Sequence, residues 1–287
     1  MKPPLVTIAI PIFNAGRYLH DAVQSCINQT YSNWELLLMC DGSTDDSTSI
    51  AYEMATMDSR IRVIDDGENK GLIYRLNQSV NLANGEFYAR MDADDIMYIT
   101  RIEEQSVFLE NHPEIDVVGT SIMTIDDENN VIGSGLYEGI VTSFVHPSVM
   151  GRTIWFKKNP YAEWPLRAED KELWVRTSAT SKFYAIGKPL LFYREFGIPT
   201  FQKYYTSQKT LLKIYANYKE YSKSLFWSIK YRILTLGKIL VTMFFVLLGK
   251  TELIVKLRKR PNLPKELWLT KDDLGYCIRF MNNNHFQ

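Results

Sequence analysis

Phe87-Tyr88-Ala89-Arg90-Met91-Asp92-Ala93-Asp94-Asp95 passes within one short stretch from apolar residues to a cluster of carboxylates. Phe87 to Met91 has the length and composition of a buried strand, and Asp92-Ala93-Asp94-Asp95 forms the turn at its carboxyl end. Adjacent carboxylates repel, and packing alone gives no reason to gather them there. A divalent cation reverses that cost, because hard oxygen ligands suit Mg²⁺ or Mn²⁺ and the ion can bridge them to a diphosphate. The competing reading of these residues by themselves is a solvated acidic turn or a helix N-terminus, where anions are also favoured.

The residues before this stretch alternate between two periods. Val6 to Phe13 is β-branched and apolar, and short enough for a buried strand; Tyr18, Leu19, Ala22, Val23, Cys26 and Ile27 then recur at helical spacing. Glu35 to Cys40 is the next apolar run and stops at the turn signal Asp41-Gly42-Ser43. Ser43, with Asp46 three residues later, has the pattern of a helix N-cap and its partner. Ile61 to Ile64 reads as a third strand, and Leu72, Leu76, Val80 and Ala83 as a second helical stripe closed by Asn84-Gly85. Strands alternating with helices predict an α/β fold, a mostly parallel, Rossmann-like sheet flanked by helices. Such sheets bind ligands at the carboxyl ends of their strands. Asp41 and Asp92 each fall at such an end, so they should share one crevice. Beyond about residue 115 the pattern loosens, with strands at Val117–Ile125 and Phe183–Tyr193 and a helix at Glu169–Thr177.

The chain has 287 residues, 46% of them hydrophobic, which is ample for one large domain with an appendage. Its net charge of zero hides an asymmetry. Lys203 to Arg260 holds 13 Lys or Arg against only Glu220 and Glu252, a net +11, so the rest carries −11. Inside this basic part, Ile233 to Leu248 is almost wholly apolar, but its uncharged portion, Ile239–Leu248, is only ten residues, against the roughly 20 needed to span a bilayer. Basic residues beside such a stripe describe a helix lying in an anionic membrane interface. The interleaved Tyr204, Tyr205, Tyr215 and Tyr218 raise nucleic acid as an alternative, but Phe244, Phe245 and Leu247-Leu248 fit lipid better, and no nucleic-acid partner is expected. Cys26, Cys40 and Cys277 form an odd set without metal-ligand spacing, compatible with a reducing cytosol. Met1 to Phe13 reads as the first strand rather than a signal peptide, since Pro11 interrupts it and no small-residue cleavage site follows.

Taken together, Thr7-Ile8-Ala9-Ile10-Pro11-Ile12-Phe13-Asn14, Gln29-Thr30-Tyr31, Asp41-Gly42-Ser43-Thr44-Asp45, Asn69-Lys70-Gly71-Leu72, Gly85-Glu86-Phe87 and the Asp92–Asp95 cluster resemble, in the right order, family-two inverting glycosyltransferases with the GT-A fold. Ala168-Glu169-Asp170 with Leu173-Trp174-Val175-Arg176 is similar to that family's acceptor-side motif. The resemblance covers about residues 5 to 195. It implies a catalytic domain at 1–200, with a nucleotide-binding half (1–112) and an acceptor half (113–200); the charge and apolar pattern beyond it predict a basic amphipathic helical extension at 201–287 that associates with membrane.

The resemblance also implies roles. Pro11, Phe13 and Asn14 would line the nucleotide-base pocket, with the Phe13 ring offering a stacking face where many relatives have Tyr. Asp41 would accept a hydrogen bond from the base, as uracil can supply; the family often has two acids here, and this chain has Cys40 before Asp41. Asp92 would contact ribose and metal, and Asp94 would be the main ligand to Mn²⁺ or Mg²⁺. Asp170 would be the general base for an inverting, in-line displacement, with Glu169 and Trp174 beside it. His146, in His146-Pro147-Ser148, would approach metal or acceptor. The implied partners are a nucleotide-diphosphate sugar, UDP-linked by preference, and a lipid-linked glycan, met at the cytoplasmic face of the inner membrane in polysaccharide synthesis. Two rival readings are a sugar-nucleotide pyrophosphorylase and a catalytically silent membrane scaffold. The first expects a glycine-rich basic loop where Pro11 to Arg17 has only Gly16 and Arg17; the second expects a missing acid, yet Asp41, Asp92, Asp94 and Asp170 are all present.

Overall fold

Val6–Ile12 forms the central strand β1, with five of its first residues in an unbroken buried run. The computed structural model describes residues 3–165, 167–195, 201–218, 225–249 and 262–279. β1 lies between β2 (Trp34–Cys40) and β4 (Phe87–Arg90), both parallel to it, and β3 (Ile61–Ile64) lies beyond β2. A strand covered on both faces reads as a continuous apolar run, which is why these segments show no alternation. Helices α1 (Gly16–Ile27), α2 (Ser47–Met57) and α3 (Leu72–Leu82) make the crossovers. The chain leaves β1 for β2 on one side and reaches β4 on the other, so the strand order reverses between β1 and β4. After its last pairing with β4, Ala9 with Arg90, β1 continues through Ile10, Pro11 and Ile12 alongside β2 alone. The two strands part there, and a crevice at such a reversal is where open α/β sheets bind ligands.

The sheet then widens with β5 (Ile96–Met97), helix α4 (Arg101–Asn111), β6 (Val117–Ile125), β7 (Val131–Gly135), β8 (Gly139–Ile140), β9 (Met150–Arg152), helix α5 (Thr153–Lys158) and β10 (Phe183–Arg194). Its order is β3-β2-β1-β4-β9-β6-β10-β5, with β7 on β6 and β8 on β10. The long pairs, β1 to β4 and β6 with β10, are parallel as expected; the short strands β5, β7, β8 and β9 join antiparallel. At two to five residues they are too brief to display a period in sequence. The expected cap at Ser43 also differs: α2 begins at Ser47 after Asp46, because Ser43 is used to hold the loop after β1.

The chain divides into two compact units. The first contains the sheet, made of residues up to 160 and 182–195, together with the C-terminal described segment; the second contains residues 161–181 and 201–249. The second unit has α6 (Glu169–Thr177), α7 (Phe201–Asn217) and α8 (Leu225–Leu247). Ala168, Val175 and Ile214 form its small buried cluster, and Tyr215 stacks on Tyr231 at 5.2 Å. Among the described residues no helix is long and apolar enough to cross a membrane.

This division differs from a boundary at residue 200 with one extension from 201 to 287. Helix α9 (Lys271–Ile278), capped by a reciprocal Thr270–Asp273 box, belongs to the first unit. Leu263, Leu274 and Cys277 are buried with Ile96, Ile99, Met123 and Phe192. Asn28 at the end of α1 donates through Nδ2 to the carbonyls of Cys277 and Arg279, both at 2.8 Å, satisfying groups a helix end otherwise leaves open. Burial of apolar side chains, not basic charge, decides where this last segment sits.

Candidate active site

The loop after β1 is built by polar ties to the loop after β2. Asn14 takes a positive φ of 51°, a conformation Asn tolerates better than most residues. Its backbone N–H donates to Ser43 Oγ at 3.0 Å, and its Oδ1 accepts from Thr44 N at 2.8 Å. Ala15 N donates to Ser47 Oγ and Gly16 N to Asp45 Oδ2. Held this way, Phe13 is 52% exposed at the end of a strand that is otherwise buried save for Pro11. Phe13 is therefore not a core residue, and Pro11 before it is half-buried.

Asp41 is buried and already engaged. Its Oδ1 accepts from Lys70 N (2.8 Å), Gly71 N (3.1 Å) and Arg75 Nε (2.9 Å), while Oδ2 accepts from Gly71 N at 3.1 Å. Arg75, fully buried on α3, also binds Asp66 and the Glu68 carbonyl, and Asp66 is held well below the usual carboxylate range by Arg75 and then Lys70. Gly42, at φ 65°, lets this loop close, since a Cβ there would meet Asn69 N at 2.8 Å. Asp41 thus anchors one wall of the crevice and retains acceptor capacity mainly at Oδ2.

Across β1, the turn after β4 brings Asp92, Asp94 and Asp95 together, with one carboxylate oxygen of each within 4.8 Å of the others. Arg90 Nη2 lies 2.8 Å from Asp92 Oδ1. Burial, and then the charge of Asp92, pushes Asp94 up to about 6; burial, Asp92 and Asp94 hold Asp95 well above the usual range. Asp95 Oδ1 accepts from Arg194 N at 2.8 Å, whereas its buried Oδ2 has no hydrogen-bond partner among the described residues. Three close oxygen donors, raised proton affinities and an orphaned buried carboxylate oxygen fit a divalent cation.

Besides Arg90, two further buried arginines that the sequence reading left out support this turn. Arg194, ending β10, donates through Nε to the Asp94 carbonyl at 2.8 Å, through Nη2 to Asn129 Oδ1 at 2.6 Å, and through Nη1 to the Asp126 carbonyl; its guanidinium lies 4.4 Å from the Tyr18 ring centroid. Arg101 on α4, fully buried and pulled down to about 10 by burial, donates through Nη2 to the carbonyls of Arg90 and Val149. The available signal was charge in an apolar context: Arg101 falls between the run Ile96 to Ile99 and Ile102, and Arg194 closes an apolar strand.

Of the residues expected on the acceptor side, Glu169, Asp170 and Trp174 lie in the second unit. Glu169 and Asp170 occupy the first turn of α6, half-buried. Trp174 is completely buried, so it supports the helix rather than touching a sugar. Glu172, also fully buried, accepts from Arg176 Nε at 2.8 Å and from the Tyr218 hydroxyl, tying α6 to the end of α7. His146, in the first unit, is buried in a short 3₁₀ turn leading to β9.

The model described as glycosyl transferase family 2 matches residues 7–171, more than half of the chain. The chain belongs to glycosyl transferase family 2. The putative glycosyltransferase EpsE of Bacillus subtilis is 35% identical over 184 residues, covering 60% of this chain and 66% of that protein. An uncharacterized glycosyltransferase of Methanocaldococcus jannaschii is 31% identical over 232 residues, 76% of this chain and 79% of the relative. Among solved structures, a mannosyltransferase from Pyrobaculum calidifontis, in complex with GDP-Man and Mn²⁺, superposes with a TM-score of 0.60 at 14% identity over 97% of this family-2 chain and 86% of its own. S. aureus TarS 1–349 in complex with UDP gives 0.59 at 16% identity, over 74% of this chain and 66% of that one. The fold is that of GT-A glycosyltransferases. Membership in family 2 leaves the pyrophosphorylase reading without support.

Proposed function

We propose that this family-2 chain moves a sugar from a nucleotide-diphosphate donor, UDP-linked by preference, to a hydroxyl of a lipid-linked glycan in cell-surface polysaccharide synthesis. The observation that carries the donor half is the pairing, at the strand reversal, of an exposed Phe13 with the Asp92–Asp94–Asp95 cluster across β1. A base stacks on the Phe13 ring, an imide N–H donates to Asp41 Oδ2, and the ribose meets Asp92. A divalent cation held by Asp94 and Asp92 would neutralise the charge of the leaving diphosphate. Asp170 takes the proton from the acceptor hydroxyl as that oxygen bonds the anomeric carbon. The bond from that carbon to the diphosphate oxygen breaks, its electron pair leaves with the nucleotide, and the centre inverts. Glu169 stands beside Asp170 in the first turn of α6. The basic segment from Lys203 to Arg260 supports work at an anionic membrane surface on the cytoplasmic side, where nucleotide sugars are available. The test incubates the full chain with Mn²⁺ and a panel of nucleotide sugars, then determines anomeric configuration in the product. Release of UDP with inversion is expected; release of no nucleotide from any donor, or retention, overturns the proposal.

A further inference from the structure

Helix α8 is inside out. Its buried positions include Thr235, Ile239 and Thr242, while Phe226, Ile229, Ile233, Leu236, Leu240, Phe244 and Leu247 are exposed, Phe226 by 69% and Leu247 by 78%. The exposed set follows spacings of three and four. With about 100° per residue, it and its neighbours Leu234, Val241 and Leu248 cover roughly half the helix circumference, opposite the threonines. A helix meeting water should show the reverse order, because apolar surface is hidden and hydroxyls are left outside. So extended an apolar face is the mark of an interaction surface.

Charge selects the occupant. From Leu225 to Gly249 there is no acid, and the three bases Lys230, Arg232 and Lys238 are all exposed. Arg232 and Lys238 lie on opposite margins of the apolar arc, between it and the buried face, where long stems reach out of an apolar phase while their charged heads stay wet; Lys230 falls inside the arc, in the second turn of the helix, and its stem must carry the charge out of the apolar phase near the helix N-terminus. A second copy of the same helix would bring bases against bases, without the acids that pair across coiled-coil seams. A spanning orientation would put Lys238, near the middle of the helix, at the centre of the hydrocarbon, where charge is costly. Lying in the plane removes that conflict and lets both margins meet anionic headgroups.

We propose that α8 lies flat in one leaflet of an anionic bilayer, with Phe226, Ile229, Ile233, Leu236, Leu240, Phe244 and Leu247 in the acyl region and Arg232 and Lys238 at the phosphates. This deepens, and rests on, the reading of a membrane-held acceptor. The test floats the full chain with vesicles of phosphatidylcholine alone, or of phosphatidylcholine and phosphatidylglycerol in equal parts. Flotation is expected with the anionic vesicles and at least about tenfold less with the neutral ones. Leu240→Asp, at an exposed position, is expected to reduce binding to the anionic vesicles by at least about tenfold. Arg232→Gln with Lys238→Gln is expected to weaken it several-fold and flatten its salt dependence. Both variants should keep the parent's melting temperature. Absence of flotation with either vesicle, or undiminished flotation of Leu240→Asp, overturns the proposal. So does a dimer in sedimentation that fails to float and that Leu240→Asp dissociates, since a second copy then covers the face. Flotation by a protein that binds no nucleotide would leave this proposal standing and overturn the catalytic reading instead.

Discussion

The turn at Asp92–Asp95 and the helix α8 break the usual order of a folded protein in opposite directions. In the first, charge is inside: Asp95, Arg90, Arg101 and Arg194 are all buried, and Asp94 is half-buried, with its proton affinity raised to about 6. In the second, apolar side chains are outside and threonines inside. Each exception departs from the burial rule in a way that a partner would repair, a cation in one case and a bilayer in the other. A buried carboxylate oxygen with no partner among the described residues and an exposed apolar face are the two features from which the cation and bilayer proposals start.

The strongest way to break this comparison is at the chemistry itself. Asp170→Asn should keep Mn²⁺-dependent UDP binding while losing transfer by about 10²–10⁴-fold, the usual worth of a positioned general base; steady-state transfer beside a binding titration checks it. Near-normal turnover would move the role to another residue, with Glu169 first. Asp94→Asn should lower the Mn²⁺-dependent part of UDP affinity by at least about 100-fold, more than outer-shell substitutions cost, without lowering the melting temperature of the metal-free protein. Equal UDP affinity with and without Mn²⁺ in both proteins would reduce the turn to an acidic loop.

Arg194 sharpens the same point, because it belongs to the turn only through space. Arg194→Met removes the guanidinium bonds to the Asp94 and Asp126 carbonyls and to Asn129; it should destabilise the protein by about 2–4 kcal/mol and weaken Mn²⁺ binding about 10–100-fold. Denaturant unfolding and a metal titration read the two effects separately. Acidity gives a further test. The folded-state proton affinity of Asp94 is raised, from the ordinary 3.8 to about 6, by burial first and Asp92 second. Without metal this group favours the folded state most at low pH, and that contribution is lost as pH rises from 4 through 6. Mn²⁺ must displace the proton below 6, so its affinity should fall by on the order of tenfold per pH unit there. A Mn²⁺-induced shift in melting temperature as large at pH 5 as at pH 7.5 would contradict this.

The smallest expected effect lies at the junction that the charge pattern misplaced. Asn28→Ala removes two bonds to the C-terminal segment and should cost about 1–3 kcal/mol, measured by denaturant unfolding, with vesicle binding unaltered. A change in vesicle binding instead would tie residues 262–279 to the membrane surface and not to the sheet unit.

What the chain announces by itself is what depends on near neighbours. The strands β1 to β4, β6 and β10 and the helix α6 are legible because a covered strand or a helix face repeats over a few residues. The carboxylate cluster is legible because its members are adjacent. The crevice follows once strand order is inferred, since Asp41 and Asp92 end strands on either side of β1. Tertiary structure alone decided the rest. Arg75 meets Asp41 across 34 positions, and Arg194 meets Asp95 across 99, distances over which no period survives. The apolar run in α8 was visible, yet only packing determined that Thr235, Ile239 and Thr242 turn inward while the larger residues face out. Likewise 262–279 joined the sheet, not the basic helices, because its few apolar side chains pack with those of β5, β6 and β10. Local patterns record which residues avoid water; which surface they avoid it against is settled only when the chain is closed on itself.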